Sequence, residues 1–287
     1  VAGCGVIQAL LLAPFDLGFM RRALAGCLAL SLAGPPLGVF LVLRRMSLTT
    51  DVLQHGILPG IALGAVLGGA GLAAMGLGGL IAGLVVSLLA GALARATAGQ
   101  EDSQLAGVTL VALAAGVAII SLTRGVDLTH LLFGSVLAVD DAALFLMASA
   151  ASVCLLGLAV IWRPLIVESF DPGFLAALGG RGQVWHLAFM ALVVTCVVGG
   201  FAALGTLMSV GLMMLPAIAA RHWAQSLAGL VGVAVAIAMA ASYIGLLMSF
   251  HADIPAGPAV VLTAGALWGV GLIFGRHHVL VGNRRPD

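Results

Sequence analysis

An all-α, polytopic membrane helix bundle of about eight crossings (seven to nine) is what this sequence predicts, on three observations. First, 62% of its 287 residues are hydrophobic and only 8% are charged, with a mean hydropathy of +1.21. Soluble proteins carry about 25% charged residues, so water is not the main solvent of this chain. Second, the apolar runs approach the ~20 residues that a membrane-crossing helix needs. Third, no stretch is polar enough for a separate soluble domain. Residues 1–287 are therefore expected to form a single transmembrane domain.

The runs divide at charged or Pro/Gly-rich points into segments near 23–43, 47–69, 72–94, 104–122, 142–161, 184–204, 206–220, 225–249 and 257–275. The run at 206–220 is short for a full crossing and reads as a half-span. Leu128–Val139 is shorter still and reads as a helix lying at, or dipping into, the surface. GxxxG spacings at Gly60/Gly64/Gly68, Gly79/Gly83 and Gly265/Gly269 read as close helix packing, since forty glycines make such spacings common.

Several function classes are excluded. All twelve basic residues are arginine, so a GxxxxGK[ST] phosphate-binding loop is absent and the chain is not an ATPase by that route. A net charge of +1 without basic patches argues against nucleic acid. Cys4, Cys27, Cys154 and Cys196 are scattered, imply neither disulfides nor a thiolate zinc site, and read as small apolar filler. Val1-Ala2-Gly3-Cys4 is similar to a lipoprotein cleavage box, but no charged and apolar leader stands before it, so no cleavable signal is expected.

Alternating the spans puts Arg44, Arg45, Arg95, Arg163, Arg181, Arg221, Arg276, Arg284 and Arg285 on one side, and only Arg21, Arg22 and Arg124 on the other. The positive-inside rule makes the arginine-rich side cytoplasmic, with the amino terminus outside and the carboxyl terminus in the cytoplasm.

Asp51 and His55 are the residues most in need of an explanation. Both stand in an apolar run, and a carboxylate at mid-membrane costs roughly 3 kcal/mol on insertion scales. Spaced i, i+4, they project from one helical face, one turn apart. Ser47 and Gln54 fall on the same face, within about 100° of arc at 100° per residue, and join the pair as candidate ligands. Gly56, Gly60 and Gly64 fall on the far side, where another helix can approach. One carboxylate and one imidazole facing a protein interior make half of a transition-metal site. The plainer alternative is a polar pair that fastens two helices. At 1.5 Å per residue, Asp51 lies about 9 Å beyond Arg45, in the inner half to the middle of the membrane.

Two loops also carry candidates. Asp171-Pro172 is a helix start and Gly179-Gly180 a stop, with apolar Phe174, Leu175 and Leu178 between them. This short cytoplasmic helix near 168–182 is either a surface connector or a docking helix for a cytoplasmic partner. His251 and Asp253, before Pro255-Ala-Gly257-Pro258, form the last outer loop. They read as a solvated turn or a contact for an external partner.

Nearly the whole chain resembles the permease subunits of bacterial ATP-binding-cassette importers for zinc and manganese. The resemblance rests on Gly38-Val-Phe-Leu-Val-Leu-Arg44-Arg45-Met-Ser-Leu, on Asp51-Val-Leu-Gln-His55-Gly-Ile-Leu-Pro59-Gly60 and on Leu132-Phe-Gly134-Ser-Val-Leu. It continues through Phe170-Asp171-Pro172 to Leu178-Gly179, Leu215-Pro216-Ala-Ile-Ala-Ala-Arg221 and Asp253-Ile-Pro255-Ala-Gly257-Pro258. It implies a permease of the bacterial inner membrane, paired with a second copy or a similar chain. Its other partners would be two cytoplasmic ATPase subunits and an extracytoplasmic binding protein. Asp51 and His55 match the Asp-x-x-x-His pair that lines the family's metal path. Asp171, Pro172, Phe174, Leu175, Leu178 and Gly179 match its coupling helix. Gln54 stands where relatives often carry a serine, and Thr49-Thr50 where a small residue and a glycine are expected.

The expected cargo is a divalent transition-metal cation, zinc ahead of manganese, with no permanently bound cofactor. Two such pairs would supply an N2O2 set, which suits zinc and also holds manganese. A proton-coupled secondary metal carrier, with Asp51 and His55 as its relay, is the competing class.

Overall fold

The computed structural model describes residues 13–68, 71–96, 101–122, 139–170 and 182–275. Among them every regular element is helical. A 3-10 turn at Ala13–Asp16 leads into α1 (Gly18–Leu43), followed by α2 (Ser47–Gly56), α3 (Leu58–Gly68), α4 (Leu72–Ala96) and α5 (Glu101–Leu122). Then come α6 (Asp141–Phe170), α7 (Gly182–Ala220), α8 (Leu227–Ala252) and α9 (Ala256–Phe274). Six stretches are long and apolar enough to cross a membrane: in α1, α2 with α3, α6, the first part of α7, α8 and α9. The other apolar stretches, Ala73–Leu89, Gly107–Ser121 and Leu204–Ala220, are shorter. The expected count of about eight crossings is thus not reached by length and composition alone. The loop helix at Leu128–Val139 lies, but for Val139, outside the described residues.

Helix α1 is the most enclosed element, packed against α6, α7 and α8. Its glycines let α7 come close on both sides of a break. A Cβ on Gly34 would stand 3.5 Å from Met213 Cα and 3.8 Å from Cys196 Sγ, so both parts of α7 pass this one point. The cause is Gly205, at φ 79° and ψ 167°, a backbone state that side-chain-bearing residues rarely adopt. Without that reversal, 39 helical residues would run about 58 Å, nearly twice the ~30 Å hydrocarbon core. The division that the sequence predicts between 184–204 and 206–220 is therefore real, although the two parts are joined without a loop.

Helices α2 to α5 form a second group that meets the first through α7. Here the predicted glycine face is confirmed: a Cβ on Gly60 would collide with the Gly78 carbonyl oxygen, one on Gly78 with the Gly60 carbonyl, and one on Gly64 with the Ala74 carbonyl. The Gly79 and Gly83 positions likewise press on Ile61 and Val194. Gly265 and Gly269 do not follow the pattern among the described residues, none of which comes within 4 Å of a Cβ at either position.

Helix ends sort into two sets. At one, Arg22 pairs with Asp141 at 3.1 Å, joining α1 to α6, and Phe15 of the 3-10 turn stacks on Tyr243 of α8 at 5.2 Å. At the other, Arg44 pairs with Glu168 at 2.8 Å, joining the residue that caps α1 to the end of α6. Large apolar side chains such as Leu67, Phe145 and Val160 face outward, as a bilayer solvent allows.

Candidate functional site

The run that carries Asp51 and His55 is broken rather than continuous. Pro59 has no N–H to give the His55 carbonyl, so the helix stops at Gly56, turns at Ile57 and restarts as α3. His55 is thereby placed in the last turn of α2, where the end of a helix favours a cation. At the other end, Arg45 takes a left-handed conformation (φ 58°) and Met46 N–H bonds to the Leu41 carbonyl at 2.9 Å, a tight turn that sets the start of α2.

The helix presents two faces. Thr50, Val52, Leu53 and Gly56 are buried, Gly56 against Val86 of α4 and Thr50 donating to Met214 Sδ of α7 at 3.6 Å. Thr49 is also buried, so both threonines are accommodated where smaller residues were expected. Ser47 and Asp51 are exposed, and Gln54 and His55 half-buried, on the opposite side. The Asp51 side chain is 64% exposed, so the described residues alone do not enclose the pair that was expected to face a protein interior.

His55 Nε2 stands 3.8 Å from Asp51 Oδ1. Two donors held about 2.1 Å from one metal at a tetrahedral angle are about 3.4 Å apart, so a side-chain adjustment of roughly 0.4 Å would let both bind one cation. The other ring nitrogen, His55 Nδ1, is buried and has no hydrogen-bond partner among the described residues. Such orphaned polar atoms are uncommon in folded proteins. Beside the pair, Gly56, Pro59, Val86, Val111 and Ala112 help to line an apolar groove of about 540 Å³.

Among the described residues, no group of three or more His, Cys, Asp or Glu side chains is placed to hold a metal. His186 lies with Arg44, its Nδ1 3.3 Å from the guanidinium. The candidate coupling residues Asp171, Pro172, Phe174, Leu175, Leu178 and Gly179 lie outside the described residues. His251 and Asp253 are exposed at the α8–α9 turn, with His251 Nδ1 2.9 Å from the Leu247 carbonyl oxygen and Asp253 left-handed at φ 53°. Sequence reading missed the cluster of Arg44, Glu168 and His186. Its only sequence signal was that all three fall at the same end of their spans.

A family model described as the ABC 3 transport family matches residues 16–275. The chain belongs to the ABC 3 transport family. It is similar to the manganese import system permease protein ScaB of Streptococcus parasanguinis, 30% identical over 248 residues, which are 86% of this chain and 87% of that one. It is also similar to the chelated iron transport system membrane protein YfeD of Yersinia pestis, 26% identical over 263 residues, 91% of this chain and 87% of that one. Among solved structures, PsaBC from Streptococcus pneumoniae in complex with Fab matches with a TM-score of 0.81 at 26% identity, covering 95% of this chain and 97% of that chain. With its apolar helices, this ABC 3 chain is a multi-pass membrane protein.

Proposed function

We propose that this ABC 3 chain is the membrane permease of an ATP-driven importer, passing a divalent first-row transition-metal cation between two copies of itself. The carrying observation is the outward face of α2: a carboxylate that is 64% exposed within an apolar segment, 3.8 Å from an imidazole. Lipid is a poor neighbour for that carboxylate, and a second copy offers a good one. Two ligands are too few for zinc, which usually takes four, and a two-fold axis along the membrane normal doubles the pair with no new sequence. The three shorter apolar stretches then count as crossings or half-crossings, and the Arg44 end faces the cytoplasm by the arginine distribution.

The energy comes from separate cytoplasmic ATPase subunits, docked through the segment around Asp171–Gly179, and the cation from an extracytoplasmic binding protein. Both assignments rest on the resemblance and the family match. On cargo, the donor set favours zinc over manganese by the ordinary affinity order. The names of the relatives weigh the other way, toward manganese and iron. Selectivity between these metals lies with the binding protein.

Cysteine cross-linking tests the shared path. In a background without native cysteines, His55→Cys should cross-link to its twin, directly or through a thiol-reactive metal, in at least one nucleotide state. Absence of any cross-link in every state, with an active complex whose mass accommodates one copy, would exclude it.

A further inference from the structure

The strongest unexplained feature outside the ligand pair is the buried charge cluster at the arginine-rich end. Arg44 spends its fork on three partners: Nη2 to Glu168 Oε2 at 2.8 Å, Nε to Ser169 Oγ at 2.9 Å, and Nη1 to His186 Nδ1 at 3.3 Å. Its guanidinium carbon also sits 5.2 Å from the centre of the Phe189 ring. The side chains of Arg44 and Glu168 are only 8% and 13% exposed. Burying a charge pair is poor value for stability alone, since well-packed apolar residues do as well or better. Such pairs are better suited to holding a register.

The register held here has a definite place in the chain. Glu168 and Ser169 close α6, while His186 and Phe189 open α7, so the cluster gathers the two helix ends that flank residues 171–181. Arg44 itself follows α1 directly and is separated from α2 by Arg45 and Met46 alone. The left-handed Arg45 and the 2.9 Å bond from Met46 N–H to the Leu41 carbonyl leave that turn little slack. Under the cluster, Phe189 meets Phe40 at 6.2 Å and Phe40 meets Trp162 at 5.2 Å, so α7, α1 and α6 are also locked through their rings. A displacement of the α6 and α7 ends is therefore passed to the turn that starts α2, the helix of Asp51 and His55, by the Arg44 guanidinium together with the rings beneath it.

We propose that Arg44 is a positioning residue for transport. It transmits movement of the helix ends around residues 171–181 to the helix bearing Asp51 and His55. The inference rests on the ATP-driven reading given above, because that reading supplies the force at 171–181. An arginine is needed, since lysine keeps the charge but cannot reach three acceptors from one rigid plane.

The test uses the complete importer, this chain with its ATPase subunits and binding protein, reconstituted in lipid vesicles. Metal moved and ATP hydrolysed are measured together for wild type, Arg44→Lys, Glu168→Gln and, as control, Arg163→Gln, an exposed arginine on α6. Arg44→Lys and Glu168→Gln should assemble and hydrolyse ATP, with metal moved per ATP lower by about fivefold or more, the lower edge of ordinary coupling between sites. Arg163→Gln should keep the wild-type ratio. A merely structural cluster would lower yield, hydrolysis and uptake together, leaving the ratio unchanged, and that result would overturn the proposal. Should Arg44→Lys fail to assemble, Glu168→Gln decides alone, since it keeps an oxygen facing Arg44 and removes only the charge. If the wild-type complex itself hydrolyses ATP without moving metal, the importer reading falls and this inference with it. If wild type couples and both variants couple equally well, only this inference falls.

Discussion

Metal uptake should be lost in His55→Ala and in Asp51→Ala, with the amount of chain in the membrane close to wild type. Each substitution removes two donors from a site shared by two copies. Loss of even a supporting partner around a metal typically costs about 10- to 100-fold, so loss of a ligand sets that as the floor. Folding should be spared, because the fully buried side of α2 is Thr50, Val52, Leu53 and Gly56. Radioactive or fluorescent metal uptake at matched expression measures this. Near-normal uptake in either variant would remove the pair from the path.

The second large effect is on the fold. Gly60→Val should prevent stable assembly, as should Gly78→Val. Each new side chain would start inside the backbone carbonyl of the facing helix, which cannot rotate away as a side chain can. Ordinary overpacking costs about 1–3 kcal/mol. A backbone-to-backbone collision of α3 with α4 should exceed that and show as loss of the folded fraction in detergent. Gly269→Val is the matched control, since no described residue stands within 4 Å of a Cβ at that position. Equal thermal stability of Gly60→Val and Gly269→Val would show that the α3–α4 contact is dispensable.

What was readable from the sequence follows from how local each feature is. The ligand face of α2 needed only an i, i+4 spacing and the 3.6-residue period, and the glycine stripe opposite it followed from the same wheel. The break after His55 was not foreseen, since 47–69 reads as one run, although its signal, the missing N–H of Pro59, is a property of one residue. The reversal at Gly205 showed only as a boundary between two runs, since apolar composition is the same on both sides of it.

Long-range pairing was not readable. Arg44 meets Glu168 across 124 positions and His186 across 142, and no local pattern marks such partners. The Gly265/Gly269 spacing differs for the opposite reason, in that no contact among the described residues answers a local pattern. Exposure of Asp51 was likewise beyond a reading of one chain, because the sequence shows that a face is polar and not what stands opposite it.

The most direct test of the shared metal path is the metal content of the purified complex. Complex loaded with manganese or zinc, freed of unbound ion and measured by mass spectrometry, should hold a single cation for each pair of permease chains. That cation should disappear in His55→Ala. One cation on every chain, or a cation retained in His55→Ala, would contradict a path built from two copies of the Asp51/His55 pair.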